Sequence, residues 1–295
     1  MLGMKELLII GAGGFGREIC AMLPECHGYG TEWTIKGFLD DTDDPLGNFP
    51  GYAPIVGPIH GYVPGPEDIF VCALGSVKGK KHCIGHLLSQ GARFETIIHK
   101  SVVIGKNAVI GKGCLFCRNV TIGCDTHIAD YVTLQAGCMI GHDSSIGTWV
   151  HCHPRVFMGG KSRFGEGVYA GYNAFLQPGR EAGDYSVLAA GSCIFRNVPA
   201  GTTAIGNPAN IRHPHKPIET AIDVPGFSIL VESLFTHSVP QLDDDFRTHD
   251  EWGSLMILDL MAKVEDRCGI VLDITEIAEC STFRDILRLI ESKQR

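Results

Sequence analysis

No stretch of this chain of 295 residues is apolar for long enough to cross a bilayer, so a membrane-inserted protein is not expected. The apolar run near the start, in MLGMKELLIIGAGGFGRE, passes directly into a glycine-rich turn, which argues against a signal peptide. An excess of basic side chains is also lacking. The formal net charge is -8, which argues against nucleic acid as a partner. That negative charge is uneven. Residues 224–295 carry fourteen acidic and seven basic side chains, against nineteen and eighteen in the rest of the chain. The C-terminal part therefore reads as a separate acidic module. Cysteine is plentiful, at 12 residues, but Cys114-x-x-Cys117 has no second pair at matching spacing, so no metal site is expected. His151 and Cys152, and Cys152 and His153, are neighbours on a strand and face opposite ways, which removes another apparent ligand set. The cysteines read as reduced packing residues of a cytoplasmic protein.

What is present in abundance is a period of six. From residue 102 to residue 203 the sequence can be written as seventeen consecutive hexads, beginning VVIGKN AVIGKG CLFCRN VTIGCD. The third place of each is apolar or small, from Ile104 through Ile140 and Cys152 to Ala200, and never a charge or an amide. The fourth place is most often glycine, as at Gly105, Gly123, Gly141 and Gly171. A helix with 3.6 residues per turn cannot keep one residue in six pointing inward over this length, whereas short flat strands joined by tight corners can. The pattern predicts a parallel β-helix of hexapeptide repeats, with the third place filling its axis and glycine supplying corner dihedrals that a Cβ would forbid. Each hexad buries too little alone, so stability comes from stacking.

Ahead of the repeats, residues 5–10 predict a buried strand. It leads into Gly11-Ala12-Gly13-Gly14-Phe15-Gly16 and a helix from Arg17. A GxGxxG between strand and helix is the context of a phosphate-binding turn. A second strand, 34–39, ends in Asp40-Asp41, carboxylates placed to hold ribose hydroxyls or base N–H groups. A third, 69–74, ends in Gly75-Ser76, and a helix near 80–90 closes the half-domain. Gly11, Gly13, Gly14, Phe15, Asp40, Asp41, Gly75 and Ser76 are the candidate nucleotide-binding residues. Behind the repeats, a linker rich in Pro, His and Lys precedes a four-helix pattern in which Ser254 stands at a helix start, with Leu255, Leu258, Met261, Ala262 and Val264 on one side. The expected division is an α/β domain at 1–97, a β-helix at 98–212, a linker at 213–223 and a helical domain at 224–295.

Across residues 5–212 the motifs IIGAGGFGRE, GFLDD, ALGS, IIHKSVVIG, GHDSSIGTWVH and AIGNPA, with the hexads between them, resemble the bacterial nucleotide-sugar acyltransferases of the left-handed β-helix superfamily. These include the bacillosamine and perosamine N-acetyltransferases and the sialic acid O-acetyltransferase group. The resemblance implies an N-terminal Rossmann-like half-domain holding a nucleotide-linked sugar, a homotrimer built on the β-helix, and acetyl-CoA bound between neighbouring subunits. It implies that His142 is the general base and Asp143 its acidic partner. His151, Gly160, Gly171 and Ala189 would line the oxyanion and acyl-CoA site. An imidazole near pKa 6.5 suits removal of a proton from an attacking amine at neutral pH. Two departures stand out: Phe15 occupies a place where the family often has His, and Asp143 one where it often has Glu.

The segment EWGSLMILDLMAKVEDRCGIVL resembles an acyl or peptidyl carrier domain, which implies a 4'-phosphopantetheine on Ser254, a phosphopantetheinyl transferase and an acyl-loading enzyme as partners, and delivery of an acyl thioester to the His142 site. Gly253 stands where carriers have Asp. The sequence leaves open N- against O-acylation of the sugar, the identity of nucleotide and acyl chain, and a third reading in which a trimeric β-helix scaffold displays a carrier.

Overall fold

The computed structural model describes residues 4–42, 44–47, 49–212, 224–232, 234–235, 240–248, 256–257, 259–261, 263–264 and 270–293. The chain divides into two compact units, Met1–His213 and Pro214–Arg295.

The first unit begins with a parallel sheet of four strands, β1 (Lys5–Ile10), β2 (Trp33–Leu39), β3 (Ile55–Gly57) and β4 (Asp68–Cys72), in the order β3-β2-β1-β4. The middle strands are apolar runs because both faces are covered: Leu7, Ile9, Ile69 and Val71 pack on one side, Leu8, Ile10, Phe70 and Cys72 on the other. Two helices flank the sheet, α1 (Gly14–Met22) and α2 (Val77–Ser89). Helix α1 begins three residues before the expected start because the glycine turn is its first turn. Gly16 sits so close to the Gly11 carbonyl that a Cβ there would collide with it. Helix α2 also begins early, at residue 77, because Ser76 caps it by accepting a hydrogen bond from Gly79 N at 3.2 Å. Strand β3 was not foreseen.

The sheet packs directly on a left-handed parallel β-helix. Each hexad gives a two-residue strand and a corner, and three hexads make one coil, so residues 18 apart pair in register, as in Thr133↔His151 and Leu134↔Cys152. Three faces result. Face A carries the strands at 97–98, 115–116, 133–134, 151–152, 169–170 and 187–188. Face B carries 103–104, 121–122, 139–140, 157–158 and onward, and face C carries 109–110, 127–128, 145–146 and onward. The third-place column is buried from Phe116 to Ile194 as expected. A second inward column, the first place, was not expected: Cys114, Val120, Val132, Cys138, Val150 and Val168 join the same core.

Two details correct the reading of the repeat. The fourth-place glycines are not the left-handed residues. Positive φ belongs to the sixth place, at Asn107 (61°), Asn119 (59°), Asp125 (58°), Asp143 (54°) and Asn173 (54°). Glycine stands at those fourth places where coils approach backbone to backbone; a Cβ on Gly105 would lie 2.5 Å from Cys124 N. The frame also slips. It holds to residue 197, after which Ala182 bridges Val198 and Leu188 pairs with Ala204, both at a separation of sixteen. The final hexad is therefore out of phase, and Ala200 is exposed.

The second unit contains α3 (Val224–Glu232), α4 (Ile274–Glu279) and α5 (Phe283–Lys293), with further helical residues between 256 and 264. Phe283, Ile286, Leu287 and Ile290 follow the i, i+3, i+4, i+7 rule and are buried with Phe227, Leu230, Leu260 and Val264. Gly253, Ser254, Leu255, Leu258, Ala262 and residues 213–223 lie outside the described residues.

Candidate functional site

His142 and Asp143 occupy the fifth and sixth places of their hexad, on the corner that turns face B into face C. The left-handed backbone at Asp143 folds its carboxylate back onto the preceding side chain, so that His142 Nδ1 meets Asp143 Oδ2 at 2.5 Å. Strand alternation does not separate the two, because neither is in a strand. With Nδ1–H donating to the carboxylate, the lone pair is left on Nε2. The neighbouring coils fix the corner: Asp143 N donates to Cys124 O at 3.0 Å, and Lys161 N donates to His142 O at 2.8 Å. The His142 side chain is 63% exposed, so a partner can reach it from outside the solenoid.

Gly160 holds the fifth place one coil further on. A Cβ there would stand 2.8 Å from His142 Nε2, so glycine at this position makes room for the imidazole. Gly160 N–H donates to no group among the described residues. His142 and Gly160 therefore offer a free base and a free backbone donor side by side, as a proton acceptor and an oxyanion donor must stand.

The remaining expected residues lie elsewhere. Gly171 and Ala189 are successive fourth-place residues on the corner between faces A and B, a different edge of the prism from His142. His151 is on face A, with no exposed surface, under the N-terminal domain. The Phe15 ring meets it edge-on at 5.9 Å between centroids, and Gln135 Nε2 donates to its Nε2 at 2.9 Å. Burial drives its pKa well below the ordinary histidine value, with Lys80 and His153 adding to the effect. His151 Nδ1 and both ring nitrogens of His153 have no partner among the described residues.

At the sheet's carboxyl end, Gly13 has open space where a Cβ would stand, and at Gly14 only an Arg17 nitrogen comes as near as 4.0 Å, so the turn can be approached closely. Asp40 and Asp41 are already engaged by the protein. Asp40 Oδ2 accepts from Ala12 N at 2.7 Å and Oδ1 from Thr42 N at 2.9 Å. Burial works to raise the Asp40 carboxyl, but these bonds outweigh it and hold it below the usual range. Asp41 accepts from His60 N at 3.0 Å and pairs with His60 Nδ1 at 2.6 Å. Gly75 and Ser76 line a cleft of about 1220 Å³ between the start of α2 and the solenoid, with Lys78, Lys81, Tyr169 and Tyr185 on its walls.

Sequence reasoning missed Lys80. It is buried in the middle of this junction, and its Nζ donates to Tyr131 O at 2.9 Å, Val150 O at 3.1 Å and Thr133 Oγ1 at 3.3 Å, which ties α2 to face A. Burial lowers its pKa to about 8. No motif marked it, since Lys80 reads as one of several helix lysines. Tyr185 could have been found, as an aromatic at the left-handed sixth place. No group of three or more His, Cys, Asp or Glu side chains among the described residues is placed to hold a metal ion.

Residues 6–87 match the PglD N-terminal domain family, and residues 233–290 match the phosphopantetheine attachment site family. A GDP-perosamine N-acetyltransferase of Escherichia coli O157:H7 is 26% identical over 212 residues, covering 68% of this chain and 93% of that protein. The acetyltransferase domain of PglB from Neisseria gonorrhoeae FA1090, solved in complex with acetyl coenzyme A, is 25% identical with a TM-score of 0.63, covering 70% of this chain and 99% of that one. PerB from Caulobacter crescentus, solved with CoA and GDP-perosamine, is 24% identical with a TM-score of 0.61, covering 72% and 98%. Both resemblances read from the sequence, to the acetyltransferases over the first unit and to carriers over the second, are borne out.

Proposed function

We propose that this chain is an acetyltransferase that moves the acetyl group of a pantetheine thioester, acetyl-CoA in the first instance, to the amino group of a nucleotide-linked sugar. The observation that carries this reading is the pairing of His142, polarised by Asp143, with the open N–H of Gly160 one coil away. The similar proteins supply the substrate class: the names of two of them contain GDP-perosamine, and two solved relatives hold CoA or its acetyl ester.

In the reaction, the sugar amine attacks the thioester carbonyl and gives up its proton to His142 Nε2. Asp143 stabilises the imidazolium, as the acid does in a Ser-His-Asp triad. The carbonyl oxygen takes negative charge and is held by Gly160 N–H. The attack forms the C–N bond; collapse then restores the carbonyl, breaks the C–S bond and releases the pantetheine thiolate, which takes up the proton held by His142. The nucleotide sits at Gly13, Gly14, Gly75 and Ser76. Asp40 and Asp41 shape the turn through Ala12 and His60, a supporting role that their existing bonds favour.

A homotrimer is part of this proposal. Face B presents Val103, Met139 and Phe157 outward, with Phe157 stacked on Phe175 at 5.3 Å, an apolar strip that threefold packing would cover. In such an assembly the edge bearing Gly171 and Ala189 of one chain can meet the edge bearing His142 of the next, with the thioester between them. The cytoplasm is the compartment this reading implies, since every cysteine among the described residues is a free thiol. No helix among those residues is long and apolar enough to cross a membrane.

A thermal-shift panel of UDP-, dTDP-, GDP- and CDP-linked amino and hydroxy sugars tests the substrate class. Stabilisation by amino-sugar nucleotides, weakened by Gly14→Asp, is the expected outcome. Stabilisation by none of them would remove the nucleotide-sugar assignment.

A further inference from the structure

The core of the β-helix contains hydroxyls and thiols as well as hydrocarbon. At the first place of five hexads, Cys114 donates to Ala129 O, Thr126 to Gly141 O, Cys138 to His153 O, Ser144 to Gly159 O and Ser162 to Gln177 O. Each donor lies fifteen residues before its acceptor. The bond therefore runs from just inside one corner to the fourth-place carbonyl of the corner stacked upon it. A buried polar group without a partner is costly, and this rung satisfies both the side chain and a corner carbonyl.

One rung differs from the others in what it joins. Ser144 is buried, and its Oγ stands 3.3 Å from Gly159 O and 3.3 Å from His142 O, and accepts from Ser162 N at 3.4 Å. It touches the peptide that carries the base and the peptide that leads into the oxyanion donor. No other side chain among the described residues bonds both corners. The separation of His142 Nε2 from Gly160 N–H is set by how these two turns are held. The imidazole already lies against Gly160 with no room for a methyl group, so small displacements of either turn matter.

We infer that Ser144 is a positioning residue for acyl transfer, holding the His142 and Gly160 corners in the spacing at which base and oxyanion donor act on one reacting centre. It touches no substrate and acts through those two residues. The inference rests on the function proposed for them.

The test compares Ser144 with Ser162, which makes the same rung one coil further along, to Gln177 O. Ser144→Ala is expected to lower kcat by roughly tenfold or more with KM for both substrates within about twofold. Ser162→Ala, of comparable cost to the melting temperature, should keep kcat within about twofold. Ser144→Thr should recover most of the rate, since Thr126 makes the same rung one coil earlier. If Ser144→Ala does not fold, Ser144→Cys replaces it, because Cys114 and Cys138 occupy this place elsewhere; the thiol is a weaker donor, and an intermediate kcat is expected. Wild-type kcat in folded Ser144→Ala, or in Ser144→Cys where that replaces it, or equal losses in Ser144→Ala and Ser162→Ala, would overturn the inference. His142→Ala measured alongside separates the two levels. An active His142→Ala enzyme would refute the proposed base, whereas an inactive one with unaffected Ser144 variants would refute the positioning role alone.

Discussion

His142 Nε2 lies 2.8 Å from the point where a Cβ on Gly160 would stand. The backbone at 160 has no positive φ, and the fifth place carries Lys106, Cys124 and His142 on neighbouring coils. The fold therefore accepts a side chain at 160, and the His142 imidazole does not. Gly160→Ala is expected to leave the melting temperature within about 2 °C of wild type while lowering kcat on the order of a hundredfold, the scale of a displaced base or a lost oxyanion donor. Steady-state kinetics beside a thermal melt check this. An unchanged kcat would detach Gly160 from the reaction.

Asp143 combines a structural and a chemical requirement that one substitution can separate. Its φ of 54° is shared with Asn107, Asn119 and Asn173 at the same place, so Asp143→Asn preserves the corner. The amide can present its NH₂ to His142 Nδ1 and so favour the tautomer with the proton on Nε2. The expected result is a fold of wild-type stability with kcat reduced by roughly a hundredfold or more. Wild-type turnover would show that the carboxylate is dispensable.

His151 has its pKa pushed well below the usual histidine value by burial, so the unfolded chain takes up a proton there at a higher pH than the folded one. Its contribution to stability is full above about pH 6.5 and is lost as pH falls below that value toward the folded-state pKa, at up to about 1.4 kcal/mol per pH unit. Melting curves at about pH 7.5 and about pH 5 should show a smaller acid-induced drop in His151→Gln than in the wild type. Equal drops would place the acid sensitivity in other groups.

The second unit matches a phosphopantetheine attachment family over residues 233–290, with Gly253 in place of the usual Asp before Ser254. Coexpression with a broad-specificity phosphopantetheinyl transferase should raise the intact mass by one phosphopantetheine, and Ser254→Ala should abolish the gain. An unchanged wild-type mass would leave free acetyl-CoA as the thioester donor.

The solenoid was legible in the sequence because its third-place column is chemically uniform, from Ile104 to Ile194. The first-place column escaped notice because Cys114, Thr126, Val132 and Ser144 share an environment without sharing a chemistry. The polar groups of Cys114, Thr126 and Ser144 are each met in the core by a carbonyl of the next corner. The fourth-place glycines were visible, but their cause was not: crowding by an adjacent coil such as Cys124 on Gly105 is a contact nineteen residues away, whereas dihedral preference is local. The slip after Asn197 was hidden because Ala200 and Gly201 fit the third and fourth places of the hexad by residue type. At the site, His142 and Asp143 could be singled out from the sequence, and the corner at residue 143 accounts for their meeting. Lys80 could not be singled out. Its role depends on three acceptors, at Tyr131, Thr133 and Val150, that only the packing of α2 against face A brings together.

Transfer of an acetyl group from a pantetheine thioester to a sugar amine, with His142 as the base, can be followed in one assay. The full chain is incubated with acetyl-CoA and a nucleotide-linked amino-sugar such as GDP-perosamine, and free thiol and product mass are followed together. The expected result is one thiol released per N-acetylated sugar nucleotide formed, no product from the corresponding hydroxy-sugar nucleotide, and a rate at least roughly a hundredfold lower in His142→Ala with KM within a few-fold. Product formed at the wild-type rate by His142→Ala, or acetyl transfer to the hydroxy-sugar nucleotide alone, would contradict it.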